Sequence, residues 1–194
     1  MTEKLKEIIR EKLDDYRYNH SLCVADEAKR LAEKYSSDPI KAYHAGLLHD
    51  ITKNISLEEH LQLVERFGII LSDAEKSSAN ILHGITGSAY VKYELGIEDD
   101  EILSAIRYHT TARANMSLFE RIIYLADFTS ADRTYPDVDV MRKLVDIDLY
   151  EAMHYSLSYT IKSLVTKASA IHPDTLYAYN FVTELLKKEG KLSK

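Results

Sequence analysis

The sequence predicts an all-α protein, because it contains few chain breakers and because its apolar residues recur at helical spacing. Only three prolines and six glycines occur in 194 residues, too few for a protein built from many strands and tight turns. Leu5, Ile8, Ile9 and Leu13 follow the i, i+3, i+4, i+8 spacing that places side chains on one face of a helix. We therefore predict a bundle of helices that pack through apolar faces.

The same spacing predicts ten further helices along the chain. They are expected at residues 19–35, 39–50, 57–67, 72–79, 84–94, 99–109, 117–129, 139–146, 149–168 and 174–188. Pro39 and Pro173 suit first helical turns, and Gly68 and Gly96 stand where helices should stop. The stretch from Thr129 to Asp139 is the least regular, so it is the best candidate for a functional loop.

Length and composition indicate a single domain over residues 1–194, with its core at about 16–130 and C-terminal helices at about 139–188. The chain has one cysteine, Cys23, which excludes an internal disulfide and a cysteine-based zinc site. The first residues lack the apolar stretch of a signal peptide, and no segment is apolar enough to span a membrane. We therefore expect a cytoplasmic protein without a membrane partner.

The net charge of −6 bears on the kind of ligand that the protein binds. Lysines and arginines are scattered among acidic residues, so a polyanion such as DNA would be attracted only weakly. We therefore expect no nucleic-acid partner. A small anionic substrate needs only a locally positive pocket, which bound metal ions can supply.

The histidines carry the chemistry of the sequence. His49 and Asp50 close an apolar helix and place two ligands where that helix leaves the core. Six candidate ligands share a position at or near the end of a strongly apolar helical segment: His20, His49, Asp50, His83, His109 and Asp127. One end of the bundle can therefore gather four imidazoles and two carboxylates, a set that suits two divalent first-row metals with one bridging carboxylate.

The order of these ligands resembles the signature of the HD superfamily of metal-dependent phosphohydrolases. That signature is a histidine, a His-Asp pair and an aspartate, which correspond here to His20, His49-Asp50 and Asp127. The two intervening histidines match the binuclear branch of the superfamily. The resemblance implies an HD-domain helical bundle with a binuclear metal site at helix ends.

The resemblance narrows to the bacterial YqeK family and covers nearly the whole chain, from about residue 3 to residue 185. Six motifs carry it: Arg17-Tyr18-Asn19-His20-Ser21-Leu22, Ala45-Gly46-Leu47-Leu48-His49-Asp50 with Lys53, Leu82-His83-Gly84, Arg107-Tyr108-His109-Thr110-Thr111, Ile123-Tyr124-Leu125-Ala126-Asp127 and Ile171-His172-Pro173-Asp174-Thr175. Thr52 stands where the family usually has alanine, Ala112 replaces a glycine, and Thr129-Ser130-Ala131-Asp132 replaces Ile-Glu-Pro-Asn. These departures leave the ligands unchanged, and Arg133 stays in register.

Members of the YqeK family are symmetrical diadenosine-tetraphosphate hydrolases with a di-iron centre, so the resemblance implies the same activity for this chain. It implies two divalent transition metals, with iron preferred and manganese, cobalt, nickel or zinc as the other options. A hydroxide held by the metals would attack a phosphoanhydride phosphorus, and the central anhydride bond would break to release two ADP. Asp50 would bridge the metals.

Catalytic roles are assigned to Asp50 and Lys53, since Lys53 lies one turn past the metal pair, where its ammonium can reach a phosphate. Arg133 lies in the irregular loop and can offer two parallel donors to phosphate oxygens. The expected substrate contacts are Arg17, Lys53, His83, His109, Thr110, Thr111, Arg113 and Arg133. The expected ligand is a dinucleoside polyphosphate or an ADP-like nucleotide, and a homodimer is compatible with the sequence.

Three other functions are compatible with the same ligands. Hydrolysis of guanosine tetraphosphate or of deoxynucleoside triphosphates differs only in the nucleotide. An HD-fold oxygenase uses a di-iron site with much the same ligands. A nucleotide-binding sensor would keep the fold without useful catalysis.

Four histidines remain outside the candidate metal site. His44 precedes the His-Asp pair by five residues and is expected to face another way. His60 and His154 are expected on the surface, and His172 is expected to shape a turn with Pro173.

Overall fold

A computed structural model of the chain describes residues 1–76 and 78–192. These residues contain ten α-helices and no β-strand, which confirms the predicted fold class. The helices are α1 (Thr2–Lys12), α2 (Asp15–Lys34), α3 (Pro39–Leu48), α4 (Leu57–Arg66), α5 (Ala79–Tyr93), α6 (Asp100–Tyr108), α7 (Leu118–Thr129), α8 (Val138–Leu144), α9 (Leu149–Thr166) and α10 (Pro173–Lys188).

Several helices begin at side-chain caps that their sequences encode. The Asp38 carboxylate accepts hydrogen bonds from two free amides in the first turn of α3. Helices α4 and α7 begin with capping boxes, formed by Ser56 with Glu59 and by Ser117 with Glu120. The local sequence therefore determines where these helices start.

One predicted helix is wrong. The segment at 72–79 forms a turn over residues 73–76, residue 77 lies outside the described residues, and α5 begins at Ala79 rather than at residue 84. The Glu75 carboxylate accepts hydrogen bonds from both the amide and the hydroxyl of Ser72, at 2.7 Å each. Such local side-chain bonds compete with helix formation. Helices α4 and α5 do stop before Gly68 and Gly96, as predicted.

The helices that carry the site pack closely because of two glycines. Helix α2 makes its most extensive contact with α3, where a Cβ on Gly46 would lie 2.6 Å from the Cα of Ala25. A Cβ on Gly84 would lie 3.0 Å from the carbonyl oxygen of Arg107, so α5 also lies close to the end of α6. Larger residues would push these helix pairs apart.

The hydrophobic core runs through the central helices and continues under the C-terminal ones. Helix α7 packs against α2, α3 and α6 on one side and against α9 on the other, and α10 covers α9. Tyr124 of α7 is among the largest fully buried side chains. Among the described residues, no helix is both long and apolar enough to cross a membrane. That the chain is one domain stays a prediction.

Candidate metal centre

The six predicted ligands come together where five helix ends meet. His20 lies in the second turn of α2 and His83 in the second turn of α5. The other four, His49, Asp50, His109 and Asp127, lie at or just beyond the C-terminal ends of α3, α6 and α7. A helix C-terminus carries partial negative charge, so three such ends favour a cation at this place.

His49 is fully buried, and its ring has one free nitrogen. Its Nδ1 donates to the carbonyl oxygen of Gly46 at 2.7 Å, so Nε2 carries the lone pair. Within the described residues that Nε2 is buried without a hydrogen-bond partner. Burial lowers the pKa of His49 to about 3, so the ring stays neutral at neutral pH. A buried lone pair without a donor is the kind of group that a metal ion satisfies.

Asp50 lies at the centre of the cluster, and its two oxygens face different groups. Its Oδ1 is 3.1 Å from His83 Nε2 and 3.4 Å from His109 Nε2. Its Oδ2 is 3.6 Å from His49 Nε2 and accepts a hydrogen bond from Arg17 at 3.0 Å. Burial opposes ionisation, but contacts with the surrounding imidazoles hold the pKa of Asp50 well below its usual value. Both oxygens of Asp50 therefore lie among the other candidate ligands.

The half of the cluster around His20, which we call the His20 half, contains the other carboxylates. His20 Nε2 is 2.9 Å from Asp127 Oδ1, and His20 Nδ1 is 2.8 Å from Asp132 Oδ2. Arg133 donates to the Asp127 carboxylate and, at 2.7 Å, to the Asp127 carbonyl oxygen. Although burial opposes ionisation, Arg133 and His20 hold the pKa of Asp127 well below its usual value.

The half around His83 and His109, which we call the His83 half, has no carboxylate besides Asp50 among the described residues. The two Nε2 atoms lie 2.9 Å apart, and His109 Nδ1 donates to a backbone carbonyl at 2.8 Å. Thr110 Oγ1 is 3.1 Å from both Nε2 atoms, and Lys53 Nζ is 3.1 Å from His83 Nε2. Burial lowers the pKa of both Lys53 and His83, in the case of His83 to about 4.

The residues present fit a metal centre. Their ligand atoms form three overlapping groups, each with all atoms within 4.8 Å of one another: His20, His49 and Asp50; His49, His109 and Asp127; and Asp50, His83 and His109. The donors are imidazole nitrogens and carboxylate oxygens, a set suited to divalent first-row metals. The three groups share members and extend across both halves of the cluster.

A hydrogen-bonded group behind the cluster, which we call the α5 brace, consists of Thr52, Thr86 and His60. Thr52 Oγ1 donates to the carbonyl oxygen of His83 at 2.9 Å and lies 3.1 Å from Thr86 Oγ1. Thr86 Oγ1 in turn lies 2.8 Å from His60 Nδ1. The brace ties the segment after the His-Asp pair to α5 and α4, and so holds His83 against Asp50.

Four of the expected substrate contacts, Arg17, Lys53, Thr110 and Arg133, lie at the cluster, while Thr111 lines a neighbouring cavity and Arg113 lies at neither. Thr111 is buried, and its hydroxyl donates to the carbonyl oxygen of Ala112 at 2.9 Å. Arg113 donates two hydrogen bonds of 2.8 Å to Glu120, which is almost fully buried. The Arg113 guanidinium is therefore already in an ion pair with Glu120, because this buried carboxylate needs a partner for its charge.

Sequence reasoning missed Asp132 and misplaced His60. Asp132 lies in the irregular loop between Thr129 and Asp139, where no periodicity distinguishes one carboxylate from another. His60 was expected on the surface, yet it is fully buried because the apolar face of α4 packs it against α5. His44 faces away from the cluster and contacts Thr2, as expected. His172 caps α10 beside Pro173, also as expected.

A cavity of about 410 Å³ adjoins the cluster. Thr110 contributes to both, since it lines the cavity and contacts the two imidazoles of the His83 half. The other polar groups of the lining come from Ser78, Asn80, Thr111, Thr160, Ser169, His172 and Thr175. The cavity therefore combines apolar walls with several hydroxyl and amide groups, as small-molecule sites do.

Comparison with known proteins places this geometry in a family. The HD domain family matches residues 17–132. The symmetrical bis(5'-nucleosyl)-tetraphosphatase of Bacillus subtilis is 36% identical over 181 residues, 90% of this chain and 93% of the relative. The enzyme of the same name from Halalkalibacterium halodurans is 39% identical over 91% of this chain and 94% of the relative.

A solved structure shows the same fold. It is the crystal structure of a predicted HD superfamily hydrolase involved in NAD metabolism from Clostridium acetobutylicum. The TM-score is 0.92 at 38% identity, with 95% of this chain and 98% of the other covered. The HD-type architecture expected from the sequence is thus confirmed.

Proposed function

The chain belongs to the HD domain family, and on that premise we propose that it is a metal-dependent hydrolase that cleaves diadenosine tetraphosphate symmetrically into two ADP. The observation that carries the proposal is the gathering of six imidazole and carboxylate ligands, with three cationic side chains, at one end of the bundle. Relatives that span nearly the whole chain bear the name of this activity.

We propose two divalent transition metals, which the ligands of the His20 half and of the His83 half, together with His49 and Asp50, would hold. The nitrogen and oxygen donors support iron, while manganese, cobalt, nickel and zinc suit the same atoms. When bound, such metals acidify a water molecule and polarise phosphoryl oxygens. All other contributions come from side chains of this protein.

Three cations would bind the polyphosphate. Arg17, Lys53 and Arg133 contact the ligand carboxylates or imidazoles and reach solvent with 26%, 19% and 27% of their side-chain surface. A polyphosphate arriving from solvent therefore meets positive charge first, although the protein carries a net charge of −6. Lys53, largely buried, contributes most where charge develops at the reacting phosphorus.

The adjoining cavity supports a nucleoside site on one side of the cluster. Its volume of about 410 Å³ suits a small ligand, and Thr110 joins it to the imidazoles of the His83 half. A nucleoside held there would place the phosphate chain across the ligands. The cut position would then be set by geometry, because one ADP unit is gripped while the other leaves.

The product of an early time point tests the proposed function. Purified protein, prepared without chelator, is incubated with diadenosine tetraphosphate, and the nucleotides are separated by chromatography. We expect ADP as the only nucleotide product. Equal amounts of ATP and AMP would contradict symmetrical cleavage, and no hydrolysis by protein with two metal equivalents would contradict the activity itself. A parallel incubation without oxygen should give the same rate.

We further propose that the protein acts on free nucleotides in the cytoplasm and not on nucleic acid. The scattered basic residues support the absence of a nucleic-acid partner. The single cysteine, Cys23, supports a reducing compartment, since no internal disulfide can form. A homodimer stays a prediction of the sequence.

A further inference from the structure

Asp132 is the carboxylate of the loop after α7 that contacts a predicted ligand. We infer that Asp132 is a positioning residue: it fixes His20 as a metal ligand and makes the His20 half the tighter of the two metal subsites. The inference rests on the proposed metal centre and adds to it a named residue and an order of affinities.

The contacts of the His20 ring support a positioning role for Asp132. Its Nδ1 lies 2.8 Å from Asp132 Oδ2, while the other Asp132 oxygen accepts a hydrogen bond from Ser130 at 2.7 Å. An ionised carboxylate only accepts hydrogen bonds, so Nδ1 must carry the proton. Nε2, which lies 2.9 Å from Asp127 Oδ1, is then the nitrogen that can exchange its proton for a metal. Asp132 therefore selects both the tautomer and the ring orientation that a metal requires.

The other three candidate ligand histidines differ from His20 in the group that contacts their Nδ1 atom. His49 and His109 donate from Nδ1 to backbone carbonyls of their own helices, which are neutral acceptors. His83 Nδ1 lies 3.3 Å from the ammonium nitrogen of Lys53. Only His20, among the four, has a carboxylate behind it in the described structure. A charged acceptor makes an imidazole a stronger donor to a metal than a carbonyl does.

The charges around the two halves also differ. An ion in the His20 half would lie near Asp127, Asp132 and the shared Asp50, while the Arg133 guanidinium, paired with Asp127, offsets one of these charges. An ion in the His83 half would face Asp50 alone, with the Lys53 ammonium close to one of its imidazoles. Since opposite charges attract and like charges repel, the His20 half should fill first and release its ion last.

The test is a metal-binding measurement that does not depend on turnover. Purified holoenzyme is exchanged into cobalt(II), and the metal retained against graded concentrations of a chelator is followed by elemental analysis and by the visible absorption of the cobalt. We expect two release steps for the natural protein. Asp132→Ala should weaken the tighter step by about 10–100-fold and leave the weaker step within about threefold.

Two further variants separate positioning from general destabilisation. Asp132→Asn has the same shape and keeps an oxygen acceptor, so it should fold like the natural protein and weaken the tighter step less than alanine does. Asp139→Asn is the matched control, because this exposed carboxylate pairs only with Arg142 in the described structure and should leave both steps unchanged.

The inference is overturned if Asp132→Ala leaves both release steps unchanged or weakens both equally. It is also overturned if His83→Ala abolishes the tighter release step, because the tighter subsite would then be the His83 half. These failures are distinct from failure of the proposed function. If cobalt release follows the expected pattern but the protein has no hydrolase activity, the proposed function is contradicted and the inference about Asp132 is supported. If the natural protein hydrolyses diadenosine tetraphosphate but Asp132→Ala leaves metal release unchanged, the proposed function is supported and the inference about Asp132 is contradicted.

Discussion

The two halves of the candidate metal centre differ in what stands behind their ligands. In the His20 half, carboxylates support the histidine: Asp127 faces one ring nitrogen and Asp132 the other. In the His83 half, the imidazoles meet a hydroxyl from Thr110 and an ammonium from Lys53. Even with Arg133 paired to Asp127, the His20 half has two carboxylates of its own for one cation, whereas the His83 half has the Lys53 ammonium and no carboxylate of its own in the described structure.

Asp50 joins the two halves, and this explains why the adjacent His-Asp pair is useful. His49 ends α3 and Asp50 follows it, so consecutive residues point to different parts of the cluster. A helix interior would direct both side chains outward about 100° apart without a common focus. Asp50 thus lies between the half with carboxylates around its histidine and the half with a hydroxyl and an ammonium beside its imidazoles.

The largest effect is expected from removing the shared carboxylate. Asp50→Ala should lower kcat for diadenosine tetraphosphate by at least about 1000-fold, on the order of 4 kcal/mol of transition-state stabilisation, since both halves lose a ligand. The Tm should fall because metal binding no longer stabilises the folded state. Steady-state kinetics and thermal unfolding check this, with exposed Asp73→Ala as the control. More than about a tenth of the natural kcat would rule out the role.

Arg133→Ala tests the cationic rim of the His20 half. We expect a loss of about 10–1000-fold in kcat/KM, about 1.4–4 kcal/mol, with ADP still the only nucleotide product. Arg121→Ala on the same helix as Asp127 is the matched control, because Arg121 lies over the ring of Tyr150 away from the cluster. A changed product would show that Arg133 determines the cut position.

His60 of the α5 brace should make the stability of the folded protein sensitive to acid. Burial, with a smaller contribution from Lys53, lowers the pKa of His60 from 6.5 to about 4. The unfolded chain binds a proton below about pH 6.5 and the folded protein does not, so the free energy of unfolding falls as the pH drops through this window. By pH 5 the loss is about 2 kcal/mol.

Replacing His60 isolates that contribution. His60→Gln removes the titrating group. Between pH 7.5 and pH 5, the free energy of unfolding of this variant should therefore fall by about 2 kcal/mol less than that of the natural protein. Denaturant unfolding at the two pH values measures the difference, and His154→Gln on α9 is a control that lies outside the brace. Equal pH dependence in natural protein and His60→Gln would contradict the assignment.

The smallest effect concerns Arg113, which belongs to neither half. Arg113→Ala should lower the free energy of unfolding by about 1–2 kcal/mol, because Glu120 loses two donors while the arginine is itself about a third exposed. Its kcat/KM should stay within about threefold of the natural value. A tenfold loss of kcat/KM at unchanged stability would instead support the role in substrate binding that the sequence suggested.

Several features of the site were predictable from the sequence because they are local. The apolar run before His49 and the His-Asp pair identify a helix end with two ligands. Pro39 and Pro173 identify the first turns of α3 and α10. The predicted helix at 72–79 failed because the bond between Ser72 and Glu75 is also local but favours a turn, and apolar spacing does not detect it.

By itself the sequence determined the all-α class, the approximate helices and the six residues that the structure gathers, because periodicity and ligand chemistry are properties of short segments. The roles of these six as ligands stay a prediction. Only the tertiary structure decided that Asp132 stands behind His20, 112 positions earlier in the chain. It also decided that Arg113 is held by Glu120 and that His60 is buried. The physical reason is that partners from distant segments are selected by helix packing and by the need to satisfy buried charge, and neither leaves a pattern within one segment.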